Sequence, residues 1–549
     1  PHGGPQSRSR SSYDDFAQFV STRGYIVIKP NFRGSTGYGR DFEEAGYKQW
    51  GQLMQDDITD AVAFMVAQGF ADPKKVCIAG FSYGGYAALM GAIKTPNLYQ
   101  CAVSINGVTH LRDQIDFDID VADDDQEFIQ EYVLNRIGDL IEENADELAA
   151  LESMDMGKPF VVARHFDIHF IADLFRFYAG AASGQLGGAT RQVTPSESGN
   201  MPLAYTRKEP LGVIAAITPF NFPMILSSTK IAPALAAGNT FIHKPASATP
   251  LTALRMAEIF KEAGLPDGTF NVVTGSGRTV GNALVEHPKV KKVAFTGSTE
   301  VGKGILKQSS ESLKKVTLEL GGKSAHIIFD DADIKQAAQN ASLAAFFNKG
   351  EFCMAGTRLL VQRGVYDEVL DELVKATKGL VIGDPLDMAT TFGPQVDAGA
   401  RDNCANYVAI AIKEGARLIM GGKPMTVDGK GYYFEPTILA DIDNKSRVAQ
   451  EEIFGPVLAV IPFDTEEEAI ALANDSEYGL AAGVQTQNLG RAHRIAHAME
   501  AGMVWVNTWG QFDSALPFGG YKASGMGREM GIEAMESYTQ NKSVYVSID

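Results

Sequence analysis

Strand and helix patterns alternate through the middle of the chain, and this alternation limits the possible folds more than any other feature of the sequence. Short apolar, β-branched runs predict strands at 213–217, 240–243, 270–273, 290–295 and 316–318. Helical periodicity separates them at 224–235 and 251–263, and again from residues 280 and 300 onward. Strands separated by helices form a parallel sheet that is covered on both faces. We therefore predict a doubly wound α/β sheet, which binds ligands at the carboxyl ends of its strands.

Polar and glycine-containing segments follow four of these strands, where such ligands are expected. They are Thr218-Pro219-Phe220-Asn221, Lys244-Pro-Ala-Ser247, Phe295-Thr296-Gly297-Ser298 and Glu319-Leu320-Gly321. The third segment opens a helix, whose backbone amides suit a diphosphate. One such loop is weak evidence for a ligand site, but the ordered set is strong evidence.

Cys353 lies between Gly350 and Gly356, just after the apolar helical run 337–347. A thiol with small neighbours, at the end of a helix-to-loop segment, can be reached by a substrate. The alternative is a buried structural cysteine, which is the commoner fate of a free thiol. This segment alone does not decide between the two.

Residues 1–139 carry the pattern of a separate parallel α/β layer, with strands predicted at 24–29, 75–80 and 102–105. The second strand runs into Gly80-x-Ser82-x-Gly84, the nucleophile-elbow pattern, in which glycines let the chain turn sharply below an exposed Ser hydroxyl. Together with Pro1-His-Gly-Gly-Pro5, the segment resembles the catalytic domain of prolyl-oligopeptidase-type serine peptidases. That resemblance implies that Ser82 is the nucleophile and that the amide of Tyr83 helps to bind the oxyanion.

The acid and base that a serine nucleophile needs are not recognisable in this segment. In α/β-hydrolases they follow the Ser in chain order, and His110 follows Ser82 too soon to be the base. We therefore predict a truncated, vestigial hydrolase segment, with serine hydrolase activity as the alternative.

From Leu140 onward the chain resembles the NAD(P)-dependent aldehyde dehydrogenase superfamily. The resemblance rests on the strand-end segments, on the surroundings of Cys353, on Glu451-Glu452-Ile-Phe454-Gly-Pro456 and on residues 517–529. It implies that Cys353 is the nucleophile, Glu319 the general base and Asn221 the oxyanion-binding amide. An aldehyde would be oxidised to a carboxylic acid through a cysteine thiohemiacetal and a thioester.

The resemblance also implies a cofactor site, in which Lys244 and Glu452 hold ribose hydroxyls and Ser298 touches the diphosphate. The other expected cofactor-binding residues are Thr218, Pro219, Phe220, Ser247, Gly277, Gly281, Phe295, Thr296, Gly297, Leu320, Gly321 and Phe454. Ser247 stands where many NAD-dependent members carry a Glu that binds both ribose hydroxyls. A carboxylate would repel a ribose phosphate, whereas a hydroxyl can donate to it. We therefore expect NADP or NAD as the cofactor, leaning towards NADP.

Five residues fall where the family lines its substrate tunnel: Phe222, Met224, Phe352, Trp509 and Phe512. They favour an apolar or aromatic aldehyde, and an aromatic core is the alternative explanation. The tail from residue 536 resembles the family's tail, which adds a strand to a neighbouring subunit. With the hairpin arm at 192–207 it predicts a homodimer or homotetramer by β-augmentation, and an intramolecular edge strand is the alternative.

The expected domains are a hydrolase-like segment at 1–139, a cofactor domain at 140–191 and 211–321, an arm and tail at 192–210 and 536–549, and a catalytic domain at 322–535. The cofactor domain begins with a predicted amphipathic helix over 140–152. No Gly-, Ser- or Pro-rich linker joins the two patterns, and the opening segment of the dehydrogenase family is absent. We hypothesise a chimeric junction near Asp139.

The formal net charge of −18 argues against nucleic-acid binding, and no apolar stretch approaches membrane-spanning length. The cysteines Cys77, Cys101, Cys353 and Cys404 show no CxxC spacing. They predict neither a zinc site nor a disulfide framework, and we expect no bound metal. This cysteine usage fits a reducing, cytoplasmic compartment.

Overall fold

A computed structural model describes residues 1–549 except 3, 5, 6, 10–14, 48, 82, 106–125, 186–188, 192–202 and 547–549. The described residues form two compact units, Pro1–Asp125 and Gln126–Asp549. None of the helices in these described ranges is long and apolar enough to cross a membrane.

The first unit contains a two-stranded parallel sheet, with β1 at Cys77–Phe81 and β2 at Cys101–Ile105. Its helices are Asp15–Ser21, Arg40–Glu44, Leu53–Ala67 and Tyr83–Lys94. The core of the unit packs Met54 and Ile58, from the longest of these helices, against Ile78 of β1 and Ala87 of the helix that follows. Strand β1 and this last helix follow each other in the order that the elbow pattern predicts.

Two sequence expectations for this unit are wrong. Residues 24–29 form no strand, and Tyr25 and Ile26 are 65% and 60% exposed. The run has strand propensity, but a strand also needs a partner for its backbone groups, and neither β1 nor β2 pairs with it. Cys77 and Cys101 form a disulfide. Their spacing along the chain does not show it, because only the register of β1 and β2 places them opposite each other.

The second unit begins with the helices Gln126–Glu143 and Ala145–Met156, where one helix was expected over 140–152. Asn144 interrupts the helix, and its Nδ2 donates to the carbonyl of Leu140 at 2.8 Å. A side chain that bonds to nearby backbone in this way competes with the helical ladder. The chain continues through Phe160–Val162 and a π-helical turn, Ala163–Asp167, into the helix Ile168–Gln185.

The remaining α-helices of this unit alternate with its strands. They are Pro223–Ala236, Leu251–Glu262, Asn282–Glu286, Thr299–Ser309, Ile334–Phe346, Tyr366–Lys378, Ala398–Lys413, Arg447–Gln450, Glu466–Asn474, Leu489–Ala498 and Gly531–Glu536.

The arm and the tail form a three-stranded antiparallel sheet in the order β22-β4-β3. Its strands are β3 at Thr190–Arg191, β4 at Leu203–Pro210 and β22 at Thr539–Val546. The turn of the predicted hairpin arm, 192–202, lies outside the described residues. The tail strand pairs along its whole length with the arm of its own chain, from Thr539 opposite Pro210 to Val546 opposite Leu203. Within its own chain β22 is thus an edge strand of this sheet, and its pairing with a neighbouring subunit stays a prediction.

The predicted doubly wound sheet is present, in the order β21-β9-β8-β5-β6-β7. Its parallel strands are β5 at Val213–Ile217, β6 at Thr240–Lys244, β7 at Phe270–Val272, β8 at Val290–Thr296 and β9 at Lys315–Glu319. Each lies within one residue of its predicted ends. Strand β21, Gly525–Met526, adds to β9 in the antiparallel direction. The chain order reverses between β5 and β8, which is the switch point where such sheets bind ligands.

A larger sheet follows, in the order β12-β15-β16-β11-β10-β18-β19. Its strands are β10 at Ala325–Ile328, β11 at Arg358–Gln362, β12 at Arg417–Met420, β15 at Thr437–Ala440, β16 at Val457–Phe463, β18 at Ala481–Gln485 and β19 at Met503–Val506. Two short antiparallel pairs complete the unit, namely β13 at Pro424–Val427 with β14 at Lys430–Phe434, and β17 at Tyr478–Gly479 with β20 at Tyr521–Lys522. Glu319 ends β9 of the first large sheet, and Cys353 lies in the second, between the helix Ile334–Phe346 and β11.

Candidate active site

Asn221 lies in the loop between β5 and the helix Pro223–Ala236, and its side chain is buried. Its Nδ2 donates to the carbonyl of Glu351 at 3.2 Å, and its own carbonyl accepts from Nδ2 of Asn348 at 2.9 Å. An asparagine amide carries two N–H donors. One N–H of Asn221 therefore stays free for a ligand while the other fixes the orientation of the amide.

The turn that leads to Cys353 has a left-handed backbone over three consecutive residues. The φ angles of Asn348, Lys349 and Gly350 are 48°, 60° and 73°. Asparagine and glycine adopt this conformation readily, but it costs a residue such as lysine roughly 1–2 kcal/mol. Gly350 is also needed for space, because a Cβ there would overlap the backbone of Gly455.

Cys353 is a free, half-buried thiol. Burial, followed by the negative charges of Glu452 and Glu319, raises the pKa of this thiol to about 12. Hydrogen bonds from the backbone amides of Met354 and of Cys353 itself act in the opposite direction. The thiol is therefore protonated at neutral pH, with two amides placed to stabilise the thiolate when it forms.

Glu319 ends β9 and is buried, and its Oε2 has no hydrogen-bond partner. Burial raises the pKa of this carboxyl well above its usual range, and the nearby negative charge of Glu529 raises it further. The positive charges of Lys230 and Arg528 lower the pKa of Glu319 in part. The carboxyl can therefore both hold and release a proton near the cysteine.

A buried polar network that the sequence did not predict lies beside Glu319. Glu529 forms an ion pair with Lys230 and accepts from Thr229 Oγ1 at 2.6 Å. Lys230 also donates to Thr296 Oγ1 at 2.7 Å. The sequence signal for this network is Lys230, the only charged residue of the helix Pro223–Ala236, since a buried charge requires a partner.

An apolar cavity opens beside Cys353. Its lining residues are Phe166, Phe170, Phe222, Ile225, Leu226, Thr229, Phe352, Cys353, Met354, Phe512, Phe518, Glu529 and Met530. Of the expected substrate-lining residues, Phe222, Phe352 and Phe512 are present. Met224 and Trp509 are not, because both are fully buried in the core.

Two cavity residues that the sequence did not indicate, Phe166 and Phe170, come from the π turn and the helix after it, far from Cys353 along the chain. Phe166 packs edge-on against Phe347, with ring centroids 5.8 Å apart, and Phe170 packs against Phe512 at 6.2 Å. The fold brings together aromatic residues from separate segments to form one wall.

The strand ends on either side of the switch point carry the expected cofactor residues. After β5, Thr218 Oγ1 lies 2.9 Å from Nε2 of His243, and Phe220 packs edge-on against Phe454, with ring centroids 5.7 Å apart. Burial, followed by the positive charges of Lys230 and Lys244, lowers the pKa of His243 to about 3, so its ring is neutral. Pro219 is partly exposed beside these groups.

The glycines and Ser298 shape the open side of this region. Ser298 is exposed and caps the helix Thr299–Ser309, its Oγ accepting from Val301 N at 3.4 Å. A side chain added at Gly277, on the first residue of a π-helical turn, would meet open space. At Gly297 it would meet the ring of Phe295 instead. Gly281 is buried near Ile217, with ordinary contact distance.

Glu452 packs against the start of the segment after β9. Its Oε1 accepts from Gly322 N at 3.0 Å, and a side chain at Gly321 would overlap its carboxylate. Burial raises the pKa of Glu452 to about 7. Leu320 is buried and donates its amide to the carbonyl of Ser524 at 2.8 Å. The half-buried Glu452 carboxylate therefore lies directly against glycine backbone, with no side chain at Gly321 between them.

Lys244 ends β6, and Ser247 follows in an exposed loop. Lys244 Nζ donates to the carbonyl of Pro245 at 2.7 Å, and burial lowers its pKa. Ser247 Oγ donates to the carbonyl of Gly275 at 3.0 Å. The hydroxyl hydrogen of Ser247 is therefore already engaged, whereas its lone pairs are free.

Ser82, the expected hydrolase nucleophile, lies outside the described residues, as does His110. Tyr83 begins the helix after the elbow and is buried against Trp50, with ring centroids 4.6 Å apart. Burial raises the pKa of the Tyr83 hydroxyl above its ordinary value. Hydrolysis at Ser82 stays a prediction.

A doubly wound sheet with glycine loops at its switch point, next to a cysteine beside an apolar cavity, defines an NAD(P)-dependent oxidoreductase. Residues 130–544 match the model of the aldehyde dehydrogenase family, and residues 11–137 match that of the prolyl oligopeptidase family. The chain belongs to the aldehyde dehydrogenase family and oxidises aldehydes with NAD(P).

Individual relatives agree with this assignment. The chain is 46% identical over 417 residues to aldehyde dehydrogenase family 2 member C4 of Arabidopsis thaliana, covering 76% of this chain and 82% of that protein. Aldehyde dehydrogenase 1 of Tanacetum cinerariifolium is 47% identical over 417 residues, with the same coverage. Among solved structures, an indole-3-acetaldehyde dehydrogenase complexed with NAD+ matches with a TM-score of 0.74 and 44% identity, over 76% of this chain and 84% of that one. KauB from Pseudomonas aeruginosa matches with a TM-score of 0.74 and 42% identity, over 79% and 89%.

Proposed function

We propose that Cys353 attacks the aldehyde, that Asn221 stabilises the resulting alkoxide and that Glu319 activates water in the second half of the reaction. The observation that carries this proposal is the hydrogen bond from Asn221 to the carbonyl of Glu351, two residues before Cys353. This bond connects the side chain of Asn221, in the loop after β5, to the segment that contains Cys353, which lines the apolar cavity.

The first step forms a bond between the sulfur of Cys353 and the aldehyde carbon. The thiol must lose its proton as it attacks, since the thiolate is the nucleophile. The amides of Met354 and Cys353 favour the thiolate, and the thiol proton passes to solvent. The product is a tetrahedral thiohemiacetal.

The alkoxide of that adduct needs donors that are already in position. One N–H of Asn221 is free for it, and its position is set before substrate arrives by the bond to Glu351. A preorganised donor of this kind contributes about 2.7–4 kcal/mol to the transition state.

NAD(P) supplies the chemistry of hydride acceptance, which converts the thiohemiacetal to a thioester. The residues proposed to hold it are Lys244 and Glu452 at the ribose and Ser298 at the diphosphate. The fit is supported by the glycine backbone that faces the Glu452 carboxylate and by the exposed helix start at Ser298.

Glu319 then takes a proton from water, and the water oxygen attacks the thioester carbon. A general base with a raised pKa accepts that proton readily. Glu529, which lines the cavity, assists this step because its negative charge favours the protonated form of Glu319 as the water loses its proton. Hydrolysis releases the carboxylic acid and restores Cys353.

We further propose that NADP is accepted and preferred over NAD. The support is the absence of a carboxylate at Ser247, whose hydroxyl can turn from Gly275 to a ribose phosphate, together with Lys244 close by in sequence. The ratio of kcat/KM for the two cofactors decides the preference, and a large preference for NAD would refute it.

The substrate proposed is an apolar or aromatic aldehyde. Phe222, Phe352 and Phe512 line the cavity beside Cys353, and Phe166 and Phe170 extend the same wall. Such a surface gains about 25 cal/mol for each Å² of apolar substrate area that it buries.

Three further expectations also stay proposals, on the domain boundaries, the oligomeric state and the cellular location. The domain boundaries, including the hydrolase-like segment at 1–139, are one. A homodimer or homotetramer is the second, supported by Tyr545, 59% exposed on the edge strand β22. A cytoplasmic location is the third: the free thiols Cys353 and Cys404 support it, and the Cys77–Cys101 disulfide argues against it.

The decisive test uses the purified chain, both cofactors and a panel of aldehydes, with reduced cofactor followed by absorbance. Cys353→Ala is expected to abolish its formation. Cys404→Ala is the matched control, because Cys404 is also a free cysteine with a pKa raised by burial to about 12, yet lies in the core of the second sheet. If Cys353→Ala formed reduced cofactor as fast as an active Cys404→Ala variant, the assignment of Cys353 as the nucleophile would be refuted.

A further inference from the structure

The left-handed turn before Cys353 is held by two buried charges. Lys349 and Glu351 are both fully buried, with Lys349 Nζ 2.8 Å from Glu351 Oε2. Lys349 Nζ also donates to the carbonyl of Met156 at 2.5 Å, and its own carbonyl accepts from Gln395 Nε2 at 3.1 Å. These contacts fix both the side chain and the backbone of the one residue in the turn for which the left-handed conformation is unfavourable.

The carboxylate of Glu351 is fixed from a second direction. Its Oε1 accepts from the amide of Val396 at 2.9 Å. The same residue presents its carbonyl to Asn221 Nδ2 at 3.2 Å and to Asn348 Nδ2 at 3.1 Å. The carbonyl that orients the proposed oxyanion donor therefore belongs to a residue whose side chain is locked by an ion pair.

A buried ion pair is a poor way to gain stability, because removing two charges from water costs about as much as their attraction returns. Two apolar side chains of similar size would fill the same volume without that cost. The pair does, however, anchor both side chains of this turn, on either side of Gly350 and next to the carbonyl of Glu351.

We propose that Lys349 and Glu351 are positioning residues, which act through the carbonyl of Glu351 to aim the amide of Asn221 at the alkoxide. This inference rests on the roles proposed above for Cys353 and Asn221. The charged pair therefore affects the rate of the first half-reaction, in which the alkoxide forms and hydride leaves. It does not affect binding of the aldehyde.

The test replaces both charges at once, in Lys349→Met/Glu351→Gln. Both new side chains keep the approximate shape and volume, and Gln retains a carbonyl oxygen for the Val396 amide. Neither leaves an unpaired buried charge, which a single replacement would do. Ser342→Ala is the control, since it removes a buried hydrogen bond to Thr377, 3.2 Å long, in the helix that leads into the same turn.

The double variant is expected to form reduced cofactor about 10²-fold more slowly in a single turnover, the loss that follows from misplacing a catalytic group by about 1 Å. Its KM for aldehyde and its melting temperature are expected to stay close to those of the parent. Alkylation of Cys353 by iodoacetamide, which needs no oxyanion donor, is expected to proceed at the parental rate. A parallel loss of alkylation would mean that the whole segment has moved, and would overturn the proposal, as would an unchanged turnover rate.

A double-mutant cycle with Asn221→Ala separates positioning from general structural support. If the pair acts through Asn221, adding the double replacement to Asn221→Ala slows the reaction no further. Additive losses would overturn the inference. Failure of the assigned roles would show differently, because Asn221→Ala and Cys353→Ala would then leave the parental rate intact.

Discussion

Replacing Glu319 with Gln tests the proposed division of the reaction into two halves. Gln has the same shape and cannot accept a proton from water, so the thioester should form but not hydrolyse. Loss of a general base slows the assisted step by about 10²–10⁴-fold. With enzyme near substrate concentration, reduced cofactor should appear in a burst approaching one equivalent per chain, followed by a steady rate reduced by that factor.

The structure also predicts the stability of Glu319→Gln. Because burial raises the pKa of Glu319 in the folded chain, the folded state binds the proton more tightly than the unfolded state does. The contribution of Glu319 to the free energy of unfolding is therefore fully present below its unfolded pKa of about 4.3. It is lost as the pH rises towards the pKa of Glu319 in the folded chain. The Gln variant has no such loss, and its melting temperature should equal or exceed that of the parent above neutral pH.

Mass spectrometry of the quenched reaction should find the acyl group on the peptide that contains Cys353. A variant that retains the parental steady rate, or one that shows neither a burst nor an acylated cysteine, would refute the role of Glu319 in deacylation. A fall in melting temperature would refute the description of its carboxyl as a buried group without a full set of partners.

Three further outcomes are expected. Glu452→Gln should raise the KM for cofactor roughly tenfold to a hundredfold above pH 7. Since the pKa of Glu452 is about 7, the parental KM should rise as the pH falls below that value, and the variant's should not. Ser247→Glu should lower kcat/KM with NADP at least about tenfold relative to NAD, because a carboxylate beside a ribose phosphate adds repulsion worth about 1.4 kcal/mol or more; an unchanged ratio would place the phosphate elsewhere. Cys77→Ser should destabilise the first unit by about 3 kcal/mol, from the loss of a cross-link between residues 24 apart, and chemical denaturation measures it. A denaturation midpoint unaffected by reducing agent would contradict that last expectation.

The sequence predicts the cofactor sheet well because most residues of its strands are buried and form short apolar, β-branched runs separated by helical periodicity. The strand at 24–29 fails for the opposite reason: an apolar run shows propensity, whereas a strand also requires a partner that only the fold supplies. The disulfide between Cys77 and Cys101 fails in the same way, since facing positions on neighbouring strands leave no signature in linear spacing.

In the site, the sequence predicts Asn221, Glu319 and Cys353 because each follows a recognisable element. Met224 does not line the cavity, since a position on a helix does not reveal which face meets it. The cavity wall at Phe166 depends on packing between segments far apart in the chain, which local patterns do not show. Lys349 and Glu351 are close in sequence, but their burial depends on contacts with the distant residues Met156 and Val396.

Gly350 has no side chain, and the backbone of Gly455 occupies the space where one would be. Neither loop can shift far without displacing the other, and the Gly455 loop begins at Glu452, on the proposed ribose contact. We therefore expect occupancy of the proposed nucleotide site to change the reactivity of the thiol, and linkage of this kind is reciprocal. For inhibitor discovery, electrophiles ranked on the free enzyme need not keep their order on the cofactor-loaded enzyme, and a compound that traps Cys353 should change how tightly the nucleotide is retained.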